Sequence, residues 1–166
     1  MIGLDTNILV YAFDSRSMHH EEGIALLHRL AEGTGPFALF WPSLHEFLRV
    51  VTHPRVFSPP ADTREALAWL EVLLQSPSAM LATETPRHRE VLERVLLESD
   101  VRGNLVYDAR LVALALQHGV DEILTVDGDF ARFPQIRWRN PFRGGRGPLR
   151  TRQRQAPVRR RTTARR

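Results

Sequence analysis

Four acidic residues lie beside or within apolar segments, where burying a carboxylate costs free energy unless it meets a cation or hydrogen-bond donors. They are Asp5, Glu46, Asp108 and Asp127. Two carboxylates about 6 Å apart repel by roughly 3 kcal/mol at an effective dielectric near 20, so a convergence of all four favours a bound cation. Oxygen ligands without histidine suit Mg²⁺, or Mn²⁺ in its place. A cation-held water could then attack a phosphoryl group, which makes metal-assisted phosphodiester hydrolysis the predicted reaction.

Each of these acids also has a purely structural interpretation, which the sequence alone leaves open. Asp5 could cap a helix that follows it. Ser43 and Glu46 have the spacing of a capping box, and Asp127-Gly128 is a common turn dipeptide. The signal at any single one of these positions is therefore weak.

Asp108 is the most informative of the four acids because it interrupts an apolar helical pattern between Leu105 and Leu116. It could be a core carboxylate satisfied by hydrogen bonds, or it could face a bound cation. Asn104 lies one turn earlier on the same face, so it could cap the helix or orient Asp108. The histidines, by contrast, are scattered without the spacing of a metal site.

The elements that must position these acids alternate between short apolar runs and longer amphipathic segments. Strands are predicted at 2–4, 37–41, 80–82, 123–126 and 136–138. Helices are predicted at 8–13, 21–32, 43–51 and 105–117, with two more after the capping pair Asp62 and Glu65 and after Thr85-Pro86. This alternation predicts an α/β domain with a parallel sheet and helices on both faces. Because the ligand crevice of such a sheet lies beyond the carboxyl ends of its strands, Asp5 and Asp127 are expected to converge there.

Composition limits the classes of protein that this chain can represent. Its 166 residues favour a single domain. The absence of cysteine excludes disulfides, thiolate metal sites and cysteine nucleophiles. No apolar stretch approaches the roughly 18 residues that a membrane-spanning helix needs, and Met1 does not open a basic and then apolar leader. We therefore expect a cytoplasmic protein with no membrane segment.

The net charge of +4 conceals two segments of opposite sign. All 23 basic residues are arginines, and ten of them lie in 143–166, which contains no acid. Residues 1–142 hold the other 13 arginines and all 19 acids, so that segment carries a net charge of −6. The arginine-rich segment has too little apolar surface to offset the entropy of ordering. This contrast predicts a domain over 1–142 and a disordered tail over 143–166.

Four motifs in order along the chain resemble the PIN-domain family, specifically VapC-type toxin ribonucleases of bacterial toxin–antitoxin pairs. They are LDTNILV at 4–10, EFLRVV at 46–51, GNLVYDA at 103–109 and TVDGDF at 125–130. The resemblance runs from Ile2 to about Phe142. It implies a three-layer α/β/α fold with a parallel sheet of four or five strands. It also implies that Asp5, Glu46, Asp108 and Asp127 form an acidic pocket that binds Mg²⁺ or Mn²⁺.

The resemblance assigns roles to individual residues of this sequence. Asp5 and Asp108 match the principal metal ligands, while Glu46 and Asp127 match the acids that complete the pocket or orient the attacking water. Asp129 could substitute for Asp127 or assist it. Four further polar positions match residues that support the acids or the substrate, namely Thr6, Asn7, Asn104 and Thr125.

The activity implied by the resemblance is endoribonuclease cleavage of structured RNA such as tRNA or rRNA. It also implies a homodimer and inhibition by a VapB-type antitoxin that presents an arginine to the acidic pocket. Two alternatives stay open, namely a PIN-type nuclease of RNA maturation outside any toxin system and a non-catalytic partner-binding module. The tail over 143–166 departs from the family pattern, and is either a dispensable extension or a non-specific tether for RNA.

Overall fold

The computed structural model describes residues 1–142, which form five strands, six α-helices and one short 3-10 helix. The strands are β1 (Ile2–Leu4), β2 (Phe37–Phe40), β3 (Ala79–Ala82), β4 (Glu122–Leu124) and β5 (Arg137–Arg139). The helices are α1 (Thr6–Phe13), α2 (His20–Glu32), α3 (Trp41–Val51), α4 (Thr63–Leu74), α5 (His88–Glu98) and α6 (Leu105–Gln117). The 3-10 helix spans Gly128–Arg132. The predicted tail over 143–166 lies outside the described residues.

All five strands pair in parallel in one sheet, in the order β3-β2-β1-β4-β5. The chain therefore builds the sheet outwards from β1 in one direction and then returns to add β4 and β5 on the other side. The order reverses between β1 and β4, where an open parallel sheet forms its ligand crevice beyond the strand ends. Asp5 follows β1 directly and Asp127 lies three residues beyond β4, so both acids stand at this position.

Helices cover both faces of the sheet and give the predicted three-layer α/β/α arrangement. On one face, α1 to α4 pack against a core whose sheet residues are Leu4, Phe37, Leu39 and Leu124. On the other face, α5 and α6 pack against Ala38, Phe40 and Ile123. Successive residues of β2 alternate between the two cores because strand side chains point to opposite faces, so the whole strand is buried.

The predicted element order is confirmed, and most of the differences lie at element ends. The helix predicted from Ser43 begins at Trp41, so Trp41 belongs to α3 rather than to the preceding strand, and Pro42 lies within the first turn of the helix. Proline, which lacks a backbone N–H, is tolerated there because an N–H in the first helical turn would have no intrahelical acceptor. The strand predicted over 123–126 ends at Leu124, which leaves Thr125 free of the strand and next to the crevice. No helix of the described part of the chain is long and apolar enough to span a membrane.

Candidate functional site

One cavity of about 690 Å³ lies at the carboxyl edge of the sheet and collects the acids from four separate parts of the chain. Five carboxylate residues line it, namely Asp5, Glu46, Asp108, Asp127 and Asp129. Asp5 comes from the end of β1, Glu46 from α3 and Asp108 from α6, while the last two flank the start of the 3-10 helix. The predicted convergence of the four acids is therefore present in the structure.

Asp5 is the most deeply buried member of this cluster and is held by three donors. The Thr125 hydroxyl and the Asn7 amide each donate to its Oδ2 at 2.6 Å, and the Thr6 backbone N–H donates to its Oδ1 at 2.6 Å. Burial nevertheless raises the pKa of Asp5 from 3.8 to about 6, against the lowering effect of the Thr125 and Thr6 hydrogen bonds. The charges of Glu46 and Asp127 add to the rise. Asp5 also caps α1, so its capping interpretation is confirmed, while its role as a metal ligand stays a prediction.

Asn7 and Thr125 form a bridge between the segments that follow β1 and β4. The Asn7 amide donates to the Thr125 hydroxyl at 2.9 Å, and the Asn7 carbonyl oxygen accepts from the Val126 backbone N–H at 3.2 Å. The same hydroxyl accepts from the backbone N–H of Asp127 at 2.9 Å. The predicted supporting role of Asn7 and Thr125 thus has a geometric basis, because both residues fix the position of Asp5.

Glu46 is tied to α1 rather than to its own helix start, which corrects the capping-box interpretation. Its Oε2 accepts from the Thr6 hydroxyl at 3.1 Å, and its Oε1 accepts from Arg49 Nη2 at 3.0 Å. The helix starts at Trp41, and no side chain of residues 1–142 caps it. The Ser43 hydroxyl, which a capping box would use, has no hydrogen-bond partner among the described residues. This hydrogen bond places Thr6 beside Glu46, one of the acids that Thr6 is predicted to support.

Asp108 lies in the first turn of α6 and faces the cavity. Partial burial raises its pKa from 3.8 to about 7, and the charges of the four other carboxylates of the cavity add to the rise. Asn104 precedes the helix and lines the same cavity, but its side chain forms no capping hydrogen bond. Of its two proposed uses, capping is therefore excluded.

Asp127 lines the cavity and caps a 3-10 helix, which begins where the Asp127-Gly128 dipeptide predicted a turn. Its carboxylate accepts from the Asp129 backbone N–H at 2.8 Å and so caps the 3-10 helix. Asp129 lines the cavity as well, which keeps both of these acids within the site.

The donor set of the cavity fits a hard cation that keeps much of its water. All of the acidic side chains offer oxygen, and burial together with the neighbouring carboxylates raises the pKa values of Asp5 and Asp108. No group of three histidine, aspartate or glutamate side chains within residues 1–142 is close enough to enclose a metal ion. Mg²⁺ is usually held by only one or two carboxylates together with waters. The assignment of all four acids as direct ligands stays a prediction.

Several cavity residues had no functional assignment from the sequence. Arg49 and Arg110 bring positive charge to the cavity, and Arg110 is held by Glu84 through two hydrogen bonds of 2.9 and 2.7 Å. Tyr107 also lines the cavity and is 71% exposed. Arg49 follows Glu46 by three residues, a spacing that predicts a contact on one helix face and could have revealed it.

Comparison with known proteins places this arrangement in a family. The family model described as PIN domain matches residues 2–136, which include every predicted site residue. The chain belongs to the PIN domain family. The resemblance of the four motifs is thereby confirmed.

Relatives of this PIN domain carry the VapC name. The chain is 37% identical to ribonuclease VapC43 of Mycobacterium tuberculosis over 144 residues, which cover 87% of this chain and 97% of that protein. Its structure is similar to VapBC2 of Rickettsia felis bound to a promoter DNA fragment, with a TM-score of 0.62 and 21% identity over 84% of this chain and 98% of the other. It is also similar to VapC20 of M. tuberculosis, described as a sarcin–ricin loop cleaving toxin, with a TM-score of 0.59 and 19% identity over 82% and 99% of the two chains. These structural likenesses establish the fold.

Proposed function

We propose that this PIN domain protein is a divalent-cation-dependent endoribonuclease and the toxin of a type II toxin–antitoxin pair. The observation that carries the proposal is the convergence of five carboxylates on one cavity, with the pKa values of Asp5 and Asp108 raised. Perturbed carboxylates in a cavity are characteristic of functional sites. The ribonuclease name of the relative VapC43 supports the same activity.

The acids divide into two proposed roles. Asp5 and Asp108 are the principal ligands of Mg²⁺, or of Mn²⁺ as a substitute, while Glu46 and Asp127 complete the ligand shell or orient the attacking water. When bound, the cation lowers the pKa of a water and neutralises charge that develops on the phosphate. Thr125 holds Asp5 in one orientation through its 2.6 Å hydrogen bond, which preorganises the site.

The two arginines of the cavity supply a complementary role toward the substrate. Arg49 and Arg110 lie among the acids, and a guanidinium can donate two hydrogen bonds to a phosphate. Glu84 holds Arg110 in place, so that this side chain loses less conformational freedom when a phosphate binds. The two arginines therefore favour binding of a phosphodiester beside the acidic residues of the cavity.

The substrate, partner and location follow from the same proposal. We propose tRNA or rRNA as the substrate class, which agrees with the sarcin–ricin loop cleavage named for VapC20. We propose a VapB-type antitoxin as the inhibitor, which agrees with the VapBC2 complex of R. felis. A homodimer and a cytoplasmic location complete the proposal.

The decisive experiment measures RNA cleavage by protein that has been freed of any co-purifying partner. Total RNA is incubated with the protein in Mg²⁺ or Mn²⁺, beside an EDTA control, Asp108→Asn, and a double variant that adds Asp5→Asn. Glu93→Gln, an exposed acid on α5, is the matched control. We expect discrete cuts from the wild type and Glu93→Gln, and none from the other samples. Cleavage that survives EDTA or Asp108→Asn would rule out the proposed chemistry, and no cleavage in the presence of bound metal would favour a binding module.

The toxin assignment has its own test, because a nuclease of RNA maturation would share the chemistry. The small protein encoded next to this gene is co-expressed with the chain, and the mixture is analysed by gel filtration and RNA cleavage. We expect a stable complex in which cleavage is suppressed. A nuclease that cleaves RNA but meets no inhibitor from the adjacent gene would support the maturation alternative.

A further inference from the structure

The first turn of α3 opens directly into the acidic cavity. Strand β2 ends at Phe40 and the helix begins at the next residue, so no loop separates them. Pro42 and Ser43, both in the first turn, line the cavity. Within the described part of the chain, no side chain caps this helix, which has 11 residues. The first backbone N–H groups of a helix lack intrahelical acceptors and carry a partial positive charge, so an uncapped start favours an anion.

The Ser43 hydroxyl is a buried polar group without a partner at this position. Ser43 is only 1% exposed, and its Oγ forms no hydrogen bond with any of the described residues. The two threonine hydroxyls of the cavity region behave differently, since Thr6 donates to Glu46 and Thr125 donates to Asp5. Burying an unpaired hydroxyl costs free energy, so this hydroxyl beside a cavity is available to donate to a group that binds there.

We propose that the first turn of α3 is a phosphate subsite for single-stranded RNA, in which the Ser43 hydroxyl donates to a phosphodiester oxygen next to the bond that is cleaved. The inference rests on the proposed ribonuclease function and adds the place where the neighbouring nucleotide binds. Arg49 lies about two turns further along the same helix, lines the same cavity and pairs with Glu46 at 3.0 Å, so it balances the charge of the acid on this helix. The acids that hold the cation lie mainly on the segments after β1 and β4 and on α6.

An aromatic pair at the same helix start gives the base of that nucleotide a surface. Trp41 is 42% exposed, and its ring packs edge-on against His45 with a centroid distance of 4.6 Å. His45 in turn lines the cavity. Exposed aromatic rings beside a phosphate site bind single-stranded nucleic acid because any base can stack on them. The subsite therefore holds a phosphate at Ser43 and a base at Trp41, with little dependence on base identity.

The test measures RNA binding without cleavage, in the Asp108→Asn background. Fluorescein-labelled oligoadenylate is titrated into proteins carrying Ser43→Ala, Ser43→Thr or the exposed control Ser15→Ala, and anisotropy gives the dissociation constants. We expect Ser43→Ala to weaken binding about tenfold, and the other two to stay within about twofold, because only Ser43→Ala removes the donor to a charged oxygen. An oligonucleotide with uncharged methylphosphonate linkages should bind the Ser43→Ala and parent proteins equally.

Stability and kinetics separate a binding role from a structural one. Ser43→Ala removes an unpaired hydroxyl, so the RNA-free protein should unfold at the same temperature or higher. In the cleaving background Ser43→Ala should raise KM about tenfold and leave kcat nearly unchanged, since the contact lies beside the reacting phosphate. If Ser43→Ala lowers the unfolding temperature of the RNA-free protein, Ser43 is structural and the subsite is overturned. Unchanged RNA binding by Ser43→Ala would overturn it as well.

The two proposals fail in different ways. If the wild type cleaves RNA and Ser43→Ala changes neither KM nor binding, the ribonuclease function stands and the subsite is wrong. If no RNA is cleaved but oligoadenylate binding still depends on Ser43, the subsite stands and the catalytic proposal is wrong. If Ser43→Ala weakens only the complex with the adjacent-gene protein, the subsite belongs to a protein partner and the RNA proposal is overturned.

Discussion

The charge of Asp108 should destabilise the metal-free protein, and neutralising it should have a measurable effect on folding. The pKa of Asp108 is 3.8 in an unfolded chain and about 7 in the folded protein. The folded state therefore binds more protons than the unfolded state between these two values, so the free energy of unfolding falls as pH rises through this window. Asp108→Asn removes the charge while it keeps the size and shape of the side chain.

The size of this effect follows from the pKa difference. At about 1.4 kcal/mol for each pH unit, the full difference corresponds to about 4 kcal/mol. Asp108 is partly exposed, and solvent screens its repulsion, so we expect about 1–2 kcal/mol. Asp108→Asn should then be more stable than the wild type at pH 8 in EDTA by this amount, equivalent to about 3–6 °C in Tm. At pH 4, where the wild-type carboxyl is already protonated in the folded state, the difference should nearly vanish.

Urea unfolding at pH 4, 6 and 8 in EDTA measures this difference, with Glu93→Gln as the control for loss of one exposed acid. Asp5 contributes to the pH dependence of both proteins, so the comparison isolates Asp108 and its coupling to the cluster. Equal pH slopes for the wild type and Asp108→Asn would refute the reasoning. That result would mean that neither burial nor the neighbouring carboxylates raise the pKa of Asp108 in the metal-free protein.

Three further predictions test the support of the site, its cation and the tail. Thr125→Val removes the hydroxyl that donates to Asp5, so it should lower the free energy of unfolding by about 2 kcal/mol and raise the pKa of Asp5 further. Urea unfolding measures the first effect and NMR titration of the carboxyl group measures the second. An unchanged pKa would contradict the hydrogen-bond assignment. Saturating Mg²⁺ should raise the Tm of the wild type and have little effect on Asp108→Asn, because a ligand stabilises only the state that binds it; an equal rise in both proteins would place the cation elsewhere. Removal of residues 143–166 should flatten the salt dependence of RNA binding, since ten arginines are lost; an unchanged slope would make the tail dispensable for binding.

The order of the elements and the identity of the acids could be predicted from the sequence because both depend on local pattern. Helix α6 has the predicted bounds, Leu105–Gln117, since its apolar periodicity extends over several turns. Asp62 caps α4 as its spacing to Glu65 predicts, because capping involves residues only a few positions apart. The short strands were less well bounded, since a strand of three residues has almost no periodicity and its ends depend on its neighbours.

Only the tertiary structure determines which groups each acid of the cluster contacts and how its pKa is shifted. Thr125 meets Asp5 across 120 positions of the chain, and Thr6 rather than Ser43 engages Glu46 across 40 positions. No local pattern could show that α3 starts two residues early and leaves Ser43 without a hydrogen-bond partner among residues 1–142, because that depends on how β2 leads into the helix. The raised pKa of Asp108 likewise depends on which carboxylates approach it and how much water they exclude. Residue type and short-range spacing therefore determined the chemistry that is available, whereas long-range contacts, burial and electrostatic repulsion determined how it is arranged.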